Sequence, residues 1–192
     1  MAEPARRIAT YQDVLDAPPH MVAEVIGGEL RLQPRPAKPH TRAASRLGAT
    51  LDGPFDLGEG GPGGWLILDE PELHLREDIL VPDLAGWRRA RMPEIAADEP
   101  YFTLPPDWVG EVLSPGTYAT DRAEKLPVYA RERVGHAWLI EPVQRTLEVL
   151  RLGDDGRWVV VDTWRGAARV RAEPFDAVEL DLSLLWADVR LR

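Results

Sequence analysis

The chain has 192 residues, 44% hydrophobic and 29% charged, which predicts one folded domain over 1–192 with an adequate apolar core. That balance excludes a disordered chain, and no apolar run approaches the roughly 20 residues that span a membrane. With 23 basic and 32 acidic residues the net charge is −9, so contact with a phosphate backbone requires the basic groups to be segregated.

Met1 to Ile8 carries two arginines with no apolar stretch behind them, so it does not read as a signal peptide and the expected location is the cytoplasm. Thr10 to Ala17 predicts a short helix stopped by Pro18-Pro19. Val22–Ile26 and Glu29–Gln33 flank Gly27-Gly28, a turn pair that predicts a β-hairpin. Pro34, Pro36 and Pro39 form a stiff link into a helix over His40–Leu51, with Ala43, Leu47 and Leu51 on its apolar face and Arg42 and Arg46 four apart. From Arg31 to Arg46 the chain holds Arg31, Arg35, Lys38, Arg42 and Arg46 with no acid between them. Arg88, Arg89 and Arg91 form a second basic cluster. Gly58–Gly64 lacks the lysine and hydroxyl ending of a phosphate loop and reads as a connection.

Strands are expected at Trp65–Leu68, Glu72–Arg76 and Leu80–Trp87, arranged as a meander. Trp108–Leu113 is apolar on both faces apart from one acid, the pattern of a central buried strand. Asp121–Arg133 reads as a helix closed by Gly135, with Pro127 as an internal anomaly. His136–Ile140 is a further strand, Thr146–Leu152 and Arg157–Trp164 a second hairpin, and Val178–Leu182 the last strand. Together these predict an α/β or α+β fold with a mixed sheet.

Three carboxylates stand singly in apolar strand-like sequence: Glu24, Asp83 and Glu111. A carboxylate buried alone must raise its pKa, find a cation or bind a metal. The chain has no cysteine, which leaves oxygen and imidazole as metal donors, and hard ions such as Mg²⁺ or Mn²⁺ accept one or two carboxylates plus water and phosphate. Only Lys38 and Lys125 are lysines, and Lys125 shares a helix face with Asp121 and Tyr129 at four-residue spacing. The structural alternative makes Glu24 an exposed strand acid, Asp83 a turn residue after Pro82 and Glu111 the partner of an arginine. Glu72 and His74 lie on one strand face, a two-donor spacing too common to signal a metal. The seven tryptophans fall mainly in strand-like runs and read as core.

Pro82-Asp83, Pro106-Asp-Trp-Val-Gly-Glu111-Val-Leu-Ser114-Pro115, Asp121-xxx-Lys125-xxx-Tyr129 and Gly135-His-Ala-Trp138-Leu-Ile-Glu-Pro142 together resemble the Uma-two family. Those are restriction-endonuclease-like proteins of the PD-(D/E)XK nuclease superfamily. The Glu24-Val-Ile-Gly-Gly28 hairpin and Pro39-His40 also match, so the resemblance runs over roughly residues 10–188. It implies a restriction-endonuclease-like core, a mixed sheet flanked by helices with added N- and C-terminal hairpins, and acids at a cleft where strands diverge. It also implies that Asp83 and Glu111 bind Mg²⁺ or Mn²⁺, that Glu24 is a third acid, and that Lys125 is a displaced catalytic lysine. The lysine usual for the superfamily two residues after Glu111 is here Leu113.

The resulting expectation is a metal-dependent endonuclease acting on DNA, with His40, Arg35, Lys38, Arg42 and Tyr129 as substrate-binding candidates. The alternative, motivated by the net charge and Leu113, is a nuclease-fold protein that binds nucleic acid or a partner without cleaving. The Leu-, Val- and Trp-rich second hairpin further predicts a homodimer.

Overall fold

The computed structural model describes residues 7–190. Helix α1 (Tyr11–Leu15) starts where the Asp13 carboxylate accepts the Thr10 N–H at 2.8 Å. Strands β1 (Met21–Ile26) and β2 (Glu29–Pro34) form the first hairpin, whose turn puts Gly27 and Gly28 at φ +60° and +77°, the left-handed region that glycine enters without a steric penalty. Beyond α2 (Lys38–Leu51) the helix widens into a π-type turn over Asp52–Leu57, which the sequence reading does not foresee.

The next segment departs from the expected meander. Strand β3 (Trp65–Asp69) pairs with β6 (Leu84–Arg88), whereas β4 (Leu73–Leu75) and β5 (Asp78–Leu80) form a hairpin of their own. That hairpin joins β1 to make a four-stranded sheet, order β2-β1-β5-β4. The run read as one strand over Leu80–Trp87 is thus two, divided at Val81–Asp83. Pro82 supplies the physical reason, because it has no N–H to continue a ladder.

A six-stranded sheet, order β10-β9-β8-β7-β6-β3, carries the remainder, with β7 (Trp108–Val112), β8 (His136–Glu141), β9 (Thr146–Leu152) and β10 (Trp158–Arg165). Its neighbours pair antiparallel except β7 and β8, so the sheet is mixed as expected. Alternation along β7 sends Trp108 and Val112 to a core shared with α2, Phe175 and Trp186. Val109 and Leu113 face the second core, built with the small sheet and α4 (Leu126–Arg131). Glu111 shares that second face. A Cβ at Gly110 would meet the Trp108 indole at 3.0 Å, so any side chain there would require the buried ring to give way.

The expected helix over Asp121–Arg133 is three pieces: α3 (Tyr118–Thr120), a π-type turn (Asp121–Lys125) and α4. Pro127 falls in the first turn of α4, where its missing N–H costs nothing, and the widened turn absorbs the break in register. The left-handed residue closing this segment is Arg133 (φ +61°), not Gly135. At the C-terminal end, strand structure shrinks to β12 (Leu180–Asp181) paired with β11 (Arg169–Val170). Leu147 and Val149 of the second hairpin are buried, Val161 and Trp164 pack on the first core, and Val159 and Val160 remain exposed. Among the described residues no helix is long and apolar enough to cross a membrane.

Candidate active site

The ladder between β6 and β7 ends at the pair Leu84 and Gly110. Past it, the Asp83 carboxylate accepts the Val112 N–H at 2.7 Å, in place of a strand partner, and the two strands part. Asp83 and Glu111 therefore border one cleft of about 340 Å³, together with Glu24, His40, Asp121 and Lys125. The small sheet supplies Glu24, which accepts the Val81 N–H at 2.8 Å and the Gln33 amide at 3.2 Å.

Lys125 organises these acids. Its Nζ lies 2.9 Å from Glu24, 3.4 Å from Glu111 and 3.5 Å from Asp121, and donates to the Val81 carbonyl at 3.3 Å. Glu24, Glu111, Asp121 and Lys125 are each no more than 3% exposed. Burial alone would push the lysine down, but the attraction of Glu111, Glu24 and Asp121 outweighs it and holds the ammonium well above its ordinary range. Burial raises Glu111 well above the usual carboxylate value, Lys125 pulls it down, and Asp121, Asp83 and Glu24 push it up again. The directions agree physically: several carboxylates share one ammonium, so Glu111 and Asp121 hold a proton more tightly than isolated acids do. Asp121 is raised for the same first reason, its burial.

A match to a family model decides the relationship. The model, Uma2, carries the description "Putative restriction endonuclease" and matches residues 8–184. The chain belongs to the Uma2 family. Among solved structures it is similar to "a putative nuclease belonging to DUF820" from Anabaena variabilis ATCC 29413. That likeness has 21% identity and a TM-score of 0.71, covers 93% of this chain and 98% of the other, and establishes the nuclease-like fold. No curated protein matches the chain.

The remaining candidates of this Uma2 protein separate clearly. His40 is buried with Nε2 3.1 Å from Asp83, and its Nδ1 has no hydrogen-bond partner among the described residues. Arg35 lines the cleft mouth. Lys38 is exposed at the start of α2 and does not line the cleft, and Arg42 is bound to Asp188 and to the Ala187 carbonyl. Tyr129 corrects the expectation of substrate contact: it is fully buried and donates to Glu111 at 2.6 Å from behind. The second basic cluster is also displaced from the cleft. Arg88 stacks on Trp65, Arg89 pairs with Asp56 and Arg91 with Asp107, at the end of β6 roughly 16 Å from Asp83. His74, 2.7 Å from Glu72, stacks on Tyr101 and is committed to packing.

Asp121 and Gln33 are the site residues that sequence reasoning passed over as functional. Asp121 was legible from its four-residue offset to Lys125, whereas Gln33 depends on the hairpin register. For a divalent ion the donor chemistry fits: Asp83 and Glu111 offer hard carboxylate oxygens to one open cleft, sufficient for Mg²⁺ when water and phosphate complete the shell. Among the described residues no group of three or more His, Asp or Glu is arranged to hold a metal ion, so the protein's share of the shell would be these two carboxylates.

Proposed function

We propose that this Uma2 protein is a Mg²⁺- or Mn²⁺-dependent endonuclease that hydrolyses DNA phosphodiester bonds, working as a cytoplasmic homodimer. One observation carries the reading: Asp83 and Glu111 border the same cleft, and the Lys125 ammonium lies 3.4 Å from Glu111. Asp83 and Glu111 are the residues that would hold the ion. When bound, the ion supplies Lewis-acid polarisation and charge neutralisation at the phosphate. His40 and the Val112 N–H fix the Asp83 carboxylate, while Tyr129 fixes that of Glu111. Lys125, kept protonated by Glu24, Glu111 and Asp121, stabilises the negative charge that builds on the phosphate oxygens during attack. Arg35 meets the DNA backbone at the mouth. The family description and the nuclease-like fold support the same reading.

Plasmid and oligonucleotide substrates with Mn²⁺ or with EDTA test it. The expected result is metal-dependent cleavage that falls by about a hundred-fold or more in Asp83→Ala, Glu111→Ala and Lys125→Ala. Persistent inactivity with intact DNA binding would instead make the protein a non-cleaving nuclease-fold module. Light scattering reads the dimer, whose contact would use Val159 and Val160 on edge strand β10, against the 21.5 kDa chain mass.

A further inference from the structure

The acids and the lysine lie on the floor of a recess rather than on a ridge. The β1–β2 hairpin that carries Glu24 also lines it, and Val22, Leu32, Pro34, Pro36, Val81 and Pro115 give the recess a largely apolar wall. Its volume of about 340 Å³ lies near the lower end of small-ligand sites, roughly 300–1,000 Å³. An intact duplex is stiff, keeps its bases stacked inside and is gripped through rows of basic residues along its phosphates. Among the described residues no such row lines the cleft. Arg31 is tied to Glu29 and Glu124, Arg42 to Asp188 and Arg122 to Glu148, and Arg35 is the exposed cation of the lining. Apolar walls give a closed duplex nothing to bind, but they suit the base and sugar of a nucleotide turned out of a stack.

We propose that the cleft takes one unpaired deoxynucleotide against this wall, so that the substrate class is single-stranded, flapped or gapped DNA rather than intact duplex. This rests on the nuclease reading above. With Mn²⁺, a single strand and a duplex bearing a three-nucleotide flap are cut at least ten-fold faster than a blunt duplex of the same sequence. Fluorescence anisotropy of the same three oligonucleotides ranks their binding in the same order, independently of turnover. Val22→Trp, which enlarges a lining side chain on the Glu24 face of β1, weakens single-strand binding at least five-fold while circular dichroism shows the fold retained. Equal cutting or equal binding of blunt duplex overturns the inference and leaves the nuclease reading standing. Absence of both cutting and binding for every oligonucleotide overturns the two together.

Discussion

Lys125 Nζ and Glu24 Oε1, 101 residues apart in sequence, meet at 2.9 Å and join the small sheet to the helical segment that follows β7. The ammonium is the counter-charge for a buried acid cluster before it is anything else. Replacing it therefore changes stability as well as chemistry, and the two are measured side by side on the same variant.

Lys125→Met should destabilise the fold by about 3–5 kcal/mol at neutral pH, because it leaves buried carboxylates without their cation. The sign with pH follows from Glu111, whose folded pKa already lies above the ordinary 4.5 and rises further without the lysine. A raised carboxylate contributes stability below about its unfolded value and loses it as pH rises through the folded one. Urea midpoints of variant and wild type should therefore lie closest near pH 4.5 and furthest apart at pH 8.

Tyr129→Phe removes a buried hydrogen bond to Glu111 and should cost about 1.5–3 kcal/mol at pH 7. Burial and the Glu111 charge hold the phenol well above its ordinary value near 10, so the unfolded chain releases this proton first and stability falls as pH climbs above 10. The phenylalanine variant should show a shallower decline of the urea midpoint between pH 10 and 11. An unchanged slope would separate Tyr129 from the alkaline transition.

Mg²⁺ or Mn²⁺ should raise the melting temperature by relieving repulsion between Asp83 and Glu111. At a hundred-fold excess over Kd the gain is about 2.7 kcal/mol. Asp83→Asn should abolish the shift, as read by differential scanning calorimetry with titration calorimetry alongside.

Arg35→Glu should weaken DNA binding and reduce the slope of log K against log salt by roughly one unit. Arg42→Glu should leave that slope alone. It breaks the contacts with Asp188 and the Ala187 carbonyl instead, so its effect, about 1 kcal/mol, belongs in the unfolding curve.

The acids were legible because a lone carboxylate in an apolar strand is expensive, which singles out Glu24 and Glu111 before any fold is known. Lys125 and Asp121 were legible through four-residue spacing, although the backbone carrying them is a widened turn rather than regular helix. The division of Leu80–Trp87 between two sheets was not, since apolar runs look alike whichever ladder they enter, and only Pro82 hinted at it. Tyr129 does share the face of Lys125, but spacing does not distinguish a side chain aimed into a cleft from one beneath its floor. The pairing of Arg42 with Asp188 depends on where the distant C-terminal segment returns, which periodicity does not encode.

Val81, Pro82 and Asp83 carry the chain from β5 of the small sheet into β6 of the large one, and the polar groups of that tripeptide facing the cluster are committed. The Val81 amide holds Glu24, its carbonyl receives Lys125, and the Asp83 carboxylate caps Val112. The crossing therefore has no slack: one residue inserted there would shift the two layers out of step and scatter the acids. Recombination between relatives should succeed at the β9–β10 turn and fail at this point, so the crossing lies inside what must be inherited as a single block.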